Sequence, residues 1–179
     1  TGISTGLTQG FSIQLSQYYG AKDFENLRKS LAHSYRLTAF IAAGVLILSQ
    51  SFASLVLTGL HTPSNIIGMS LLYLRIIFCG IPATAAYNMF ASALRAMGNS
   101  KTPLTAMIIA SVLNVSLDIL FVAGFGWGVA GAAIATVIAQ SFSAVYCFLI
   151  LRRIDIVHLT RADFMPASGM NARLMKLGI

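Results

Sequence analysis

The sequence predicts an all-α membrane protein, a bundle of about five transmembrane helices, and three observations carry that prediction. Hydrophobic residues fill 56% of the 179 positions and charged residues only 9%, against roughly 25% charged in an ordinary soluble domain. Mean hydropathy is +0.78, which leaves too little polar surface to cover a core, so the apolar excess faces lipid. The lysines and arginines, finally, cluster in alternate connectors, as a chain that crosses a bilayer repeatedly requires.

Five spans follow in order. The first, about 1–19, is weak in hydropathy: Gly2, Gly6 and Gly10 form one row, and Ser4, Thr8, Ser12 and Ser16 a second. Such rows suit close helix approach and a polar lining, so this helix is expected inside the bundle. The others run over about 37–60, 66–94, 104–122 and 127–151, each near the roughly 20 residues that cross a bilayer's hydrocarbon. Thr62-Pro63 and Thr102-Pro103 each place a hydroxyl before a first-turn proline, a helix-start signature. Gly20 and Gly98 suit helix ends, and Pro82 is expected to kink the third span and free backbone carbonyls. Cys79 and Cys147 lie in apolar runs and read as small buried hydrophobes, without disulfide or metal spacing.

Orientation comes from the cations. Lys22, Arg28, Lys29 and Arg36 surround the first connector, Arg95 and Lys101 the third, and Arg152, Arg153, Arg161, Arg173 and Lys176 follow the last span. The second and fourth connectors carry none. Connectors 20–36 and 95–102 and the tail are therefore expected on the cytoplasmic side. Residues 1–152 form the bundle, and 153–179 a basic linker at the membrane surface. The net charge of +7 does not point to nucleic acid, because no basic stripe with interleaved aromatics exists. With Thr1 in place of an initiating methionine, the chain reads as a piece of a longer one.

Of the 17 charged residues only Arg75 and Asp118 lie well inside spans. Ser111, Asn114 and Asp118 share one face of the fourth helix, and Thr136 and Gln140 one face of the fifth. Counting from the external hairpin at about 1.5 Å per residue, Asp118 lies roughly 9 Å down, Thr136 13 Å, Asn114 15 Å and Gln140 19 Å. One shared polar site in the outer half of the membrane is expected, with Asn88 as a further cavity candidate. A buried carboxylate there suits either a proton exchanged near neutral pH or a small cation held by hard oxygens. The structural alternative pairs Asp118 with Arg75, or caps a neighbouring helix with it. Gly126-x-Gly128-x-x-Gly131 imitates a dinucleotide loop, but no strand precedes it; a tight hairpin anchored by Trp127 is expected instead.

Four stretches, "YYGAKDFENLRKSL", "ALRAMGNSKTP", "NVSLDILFV" and "GWGVAGAAIATVIAQ", together resemble the amino-terminal lobe of the multidrug and toxic compound extrusion (MATE) transporters. The resemblance implies a twelve-helix antiporter of two six-helix lobes, exporting cationic amphipathic drugs in exchange for protons or sodium. It makes the spans here the second to sixth helices of a lobe, with the first helix and the second lobe missing and 153–179 leading toward that lobe. Asn114, Asp118 and Thr136 match the cation-responsive site of prokaryotic members, and Gln140, Asn88 and Ser111 stand as cavity residues. No cofactor is expected beyond the coupling ion.

Two further classes remain. His33, His61 and His158 fall in separate connector or tail regions, expected to be solvated or interfacial, so no catalytic or metal set is expected, nor an enzyme. A lipid-linked oligosaccharide flippase of the same superfamily would need internal cations for a pyrophosphate, where one arginine is offered. A purely structural membrane subunit would find its best support in an Arg75–Asp118 pair.

Overall fold

A computed structural model describes residues 2–60 and 66–154, with side chains from residue 11 onward. All of its elements are helices: α1 (Gly2–Gly20), α2 (Phe24–Gly59), α3 (Ile67–Cys79), α4 (Ile81–Ala96), α5 (Lys101–Asp118), a π-helical turn (Ile119–Gly124) and α6 (Gly128–Arg152). The α3–α4 pair is one broken span, so the expected five spans are present. Four of them, Phe24–Gly59, Ile67–Ala96, Lys101–Gly124 and Gly128–Arg152, are long and apolar enough to cross a membrane. Their outward faces carry Phe40, Ile47, Leu55, Val112 and Ile119, all more than 60% exposed, as lipid contact requires. The cap at Thr62-Pro63, His61, His158 and the tail 155–179 lie outside the described residues.

The largest departure from expectation lies at 20–36, where the cations suggested a connector. The chain turns within three residues: Lys22 adopts the left-handed conformation at φ 58°, and Asp23 N–H bonds the Tyr18 carbonyl at 3.0 Å. Asp23 then caps α2, its carboxylate accepting from the Asn26 backbone (3.2 Å) and side-chain amide (2.7 Å); these bonds hold the carboxyl below its ordinary titration range. From there α2 runs 36 residues, about 54 Å, well beyond the roughly 30 Å of hydrocarbon. Its first turns stay helical because Leu27, Leu31 and Ser34 recur on one face and bury there. His33, expected to be solvated or interfacial, is 2% exposed, because this part of α2 is covered by the bundle.

That coverage is the core. Leu15 of α1, Leu27 and Leu31 of α2, Met89, Phe90 and Leu94 of α4, Ala106 of α5, and Cys147 and Leu151 of α6 form one buried cluster. These residues lie at the basic ends of their helices, so the bundle is sealed there. Among the described side chains of α1, Phe11, Gln14 and Leu15 are buried, whereas Ser16 of the expected polar row is exposed and bonds its own helix at the Ile13 carbonyl.

Helix ends follow local chemistry, with two corrections. Gly98, at φ 81°, closes α4: its N–H bonds Arg95 and that of Asn99 bonds Leu94, the paired bonds of a left-handed C-terminal cap. The N-cap position of α5 is Ser100 and not Thr102; the side chain of Asn99 just before it supplies the capping bond, its Oδ1 accepting from Thr102 N at 3.1 Å, and Pro103 falls in the third helical position. The third span breaks at Gly80, two residues before Pro82, because proline lacks an N–H and its ring would meet the carbonyl four residues back. Cys79, expected buried, is exposed at this break, unlike Cys147; Gln50 of α2 donates to its Sγ (3.3 Å) and to the Arg75 carbonyl (2.9 Å).

Gly131 shows how closely α6 is held. A Cβ there would lie 2.9 Å from Phe121 Cβ and 3.1 Å from Trp127 Cβ, whereas one at Gly44 would meet nothing within 4 Å. Gly131→Val is expected to cost about 1–3 kcal/mol and Gly44→Ala at most about 0.5 kcal/mol, measured as thermal unfolding in detergent.

Candidate functional site

Above the sealed core, α4, α5 and α6 diverge around a cavity of about 360 Å³, within the size range of small-molecule pockets. Each helix lines it with one face. Thr84, Tyr87 and Asn88 come from α4; Met107, Ser111 and Asn114 from α5; Thr136, Gln140 and Ser143 from α6. The spacings of three, four and seven residues are those of a single helical face, so three periodic stripes converge. The helices come this close because the residues between the polar ones are small: Ala110 on α5 and Ala139 on α6 also line the wall and are buried.

Hydrogen bonds set the polarity of the wall. The single proton of Thr136 goes to the Ala132 carbonyl at 3.0 Å, so its oxygen accepts from the Asn114 amide nitrogen at 3.4 Å. That arrangement leaves the Asn114 carbonyl oxygen as an acceptor. The Thr84 hydroxyl lies within reach of the Gly80 carbonyl (3.2 Å) and of Gln140 Oε1. Gly80 itself abuts α6, since a Cβ there would sit 2.9 Å from Val137 Cγ2 and 3.5 Å from Gln140 Oε1. The break in the third span is thus fastened to the cavity wall. Tyr87 donates to the Pro103 carbonyl at 3.2 Å, tying α4 to the first turn of α5, and buried Ser143 reaches the carbonyls of Ala106 and Ala139.

No charged side chain is among the lining residues. Asp118 stands one helical turn beyond Asn114, at the last α-helical residue before the π turn. It is half-buried, and its Oδ1 is fully buried without a hydrogen-bond partner. A buried carboxylate oxygen left without a donor is uncommon and calls for a reason; short π segments recur at functional positions. Arg75 does not supply the partner: it is exposed on α3, and no ion pair joins it to Asp118.

The structure therefore brings Ser111, Asn114, Thr136, Gln140 and Asn88 to one cavity, leaves Asp118 one turn beyond its lining, and places Arg75 apart. Thr84, Tyr87, Met107 and Ser143 were not anticipated. The spacing of Thr84, Tyr87 and Asn88 carried the signal for α4, but two hydroxyl residues in an apolar helix look like ordinary back-bonding until a neighbour shows what they face. Among the described residues no group of three histidine, cysteine, aspartate or glutamate side chains is placed to hold a metal ion.

Gln140→Leu removes the polar link between α6 and the α3–α4 break, and Gln50→Leu the link between α2 and the same region. Each is expected to lower stability by about 1 kcal/mol, and the pair to add within roughly 0.5 kcal/mol, read by thermal unfolding in detergent.

Comparison with known proteins gives consistent matches. The sequence profile of the MatE family matches residues 1–120. The chain is 33% identical over 153 residues to the probable multidrug resistance protein YoeA of Bacillus subtilis strain 168, covering 83% of this chain and 32% of that protein. It is 32% identical over 174 residues to the probable multidrug resistance protein YpnP of the same strain, covering 97% and 39%. To the multidrug export protein MepA of Staphylococcus aureus strain NCTC 8325 it is 24% identical over 173 residues, covering 95% and 38%. The chain thus spans about a third to two fifths of the length of these relatives. Its fold superposes on the inward-facing structure of a multidrug resistance MATE family transporter of the MOP superfamily with a TM-score of 0.92 at 24% identity, covering 99% of this chain and 41% of that one. A MOP superfamily transporter from Pyrococcus furiosus gives 0.89 at 24% identity and 99% coverage of this chain.

Proposed function

The chain belongs to the MatE family of multi-pass membrane proteins, and on that premise we propose that it forms most of one lobe of a cation-coupled antiporter that exports cationic amphipathic drugs. The observation that carries this reading is the Asp118 carboxylate: its buried Oδ1 lacks a partner, one turn from an Asn114 that bonds Thr136 in a cavity of about 360 Å³. The family match and the relatives named as multidrug resistance or export proteins support the wider reading.

The chemistry follows from the arrangement. An unpaired carboxylate in a low-dielectric wall costs free energy in its charged form. A proton or a sodium ion relieves that cost, and so does a cationic guest in the adjoining cavity. Two cations that each neutralise the same group exclude one another, which is the requirement for exchange. Asn114 offers an acceptor oxygen one turn away, Thr136 orients that amide, and Gln140, Asn88 and Ser111 supply neutral polar contacts to the guest. Tyr87 and Met107 add an aromatic and a polarizable surface. A wall without lysine or arginine favours a cation over a pyrophosphate, which weighs against the flippase alternative. Movement between inward and outward access belongs to the two-lobed protein, in which paired bundles rock about a central site.

In the full natural chain, Asp118→Asn is expected to reduce pH- or sodium-dependent efflux of a cationic dye by more than about tenfold, while the amount in the membrane stays unchanged; coupled efflux at the wild-type level would refute the role. The sidedness read from the cations is checked by labelling. Gly126→Cys should react with an impermeant maleimide on intact cells and Ser100→Cys only after permeabilisation, and the opposite pattern would invert the topology.

A further inference from the structure

A second cavity, of about 280 Å³, lies between α2 and α4 and does not share a residue with the first. It begins at Tyr35, follows Ala39, Ala42 and Ala43 to Leu46, and is walled on the other side by Pro82, Ala86 and Phe90. Alanines on α2 leave the trough, because larger side chains at their spacing would fill it, and the helix break next to Pro82 closes its far end. Apart from Tyr35 and Thr38, the lining is apolar.

Its dimensions select an occupant. From Tyr35 to Leu46 the helix rises about 16 Å, close to half of the roughly 30 Å of bilayer hydrocarbon. The groove is one leaflet deep. Spread over that length, the groove's whole empty space of about 630 Å³, its open mouth included, is about 38 Å² in section, against roughly 80 Å² for a helix 10 Å across. A further helix does not fit, whereas a single extended hydrocarbon chain does. Arg36 lies three residues before Ala39 and seven before Ala43, on the same face of α2, and is exposed at the groove's basic end. Basic residues at the mouth of an interhelical groove attract anionic headgroups.

We propose that this groove holds one acyl chain of an anionic phospholipid, with its phosphate at Arg36. The lipid packs the otherwise open seam between α2 and α4 beside the break in the third span. The site is separate from the cation-responsive one and does not depend on the transport reading.

The test uses the full natural chain in nanodiscs of phosphatidylcholine containing one fifth phosphatidylglycerol. A bimane fluorophore is attached at Ala43→Cys, or at Leu48→Cys on the open lipid face, with all other cysteines replaced. At position 43, doxyl-labelled phosphatidylglycerol is expected to quench about fivefold more than doxyl-labelled phosphatidylcholine at equal mole fraction. At position 48 the two should quench equally, and Arg36→Gln should bring the ratio at position 43 close to one. Equal quenching by both lipids at position 43 would overturn the proposal. So would no quenching by either, which would mean that another protein segment covers the groove. Native mass spectrometry adds a measurement without a label: Ala42→Phe should lose the phosphatidylglycerol that the unaltered chain retains, and undiminished retention by that folded variant would also count against the site.

Discussion

The close approach of α6 to its neighbours is the constraint on which the rest of the molecule depends. In hydrocarbon, helices gain little from burying apolar surface against each other, because lipid is equally apolar; dispersion contacts and interhelical hydrogen bonds hold them instead. α6 meets that requirement with small side chains. Gly131, Ala133, Ala135, Ala139, Ser143, Ala144 and Cys147 are all buried, and they let α4 and α5 pack near its backbone. A bulky residue at any of these positions would widen the bundle and separate the polar side chains that meet across it.

This packing divides the bundle by depth. At the basic end, large side chains interlock: Tyr35 and Phe90 lie 5.2 Å apart, and Phe90 and Phe148 5.4 Å. Toward the opposite end the same helices separate, and polar groups occupy the space. Their bonds run between helices at the point of divergence, as with Asn114 and Thr136, or Thr84 and Gln140, so the cavity wall is polar yet largely satisfied. At the far hairpin Phe121, Phe125 and Trp127 stack at 5.1 to 6.1 Å around the glycine-rich turn. Asp118 stands between these regions, where the α-helix gives way to the π turn, and its Oδ1 is buried there without a hydrogen-bond partner.

Arg75 illustrates how such an exception survives. A guanidinium in the same spans would be the obvious partner, and pairing would make Asp118 a static structural element. α3 turns Arg75 outward instead, and the Gln50 bonds to the Arg75 carbonyl and to Cys79 hold that stretch of α3 against α2. The Asp118 Oδ1 is thereby left without a partner. The helix break at Gly80 serves both sides: it presents Thr84 to the main cavity and Pro82 to the groove beside α2.

Composition and periodicity were enough for the membrane class, for four of the five spans within a few residues and for the polar stripes on α5 and α6, because hydrophobic length and helical spacing are local properties. They were also enough to single out Asp118, since one carboxylate in an apolar run is conspicuous without any partner in view. They anticipated the interruption that Pro82 imposes on the third span, which falls two residues earlier at Gly80, but they misjudged 20–36, where cations marked a surface but not a break in the helix. Thr84, Tyr87, Met107 and Ser143 became visible as a wall only with three helices in place, and the separation of Arg75 from Asp118 likewise. Which side chains meet across a bundle depends on how each helix is rotated about its axis, and that rotation is settled by contacts between residues far apart in the chain.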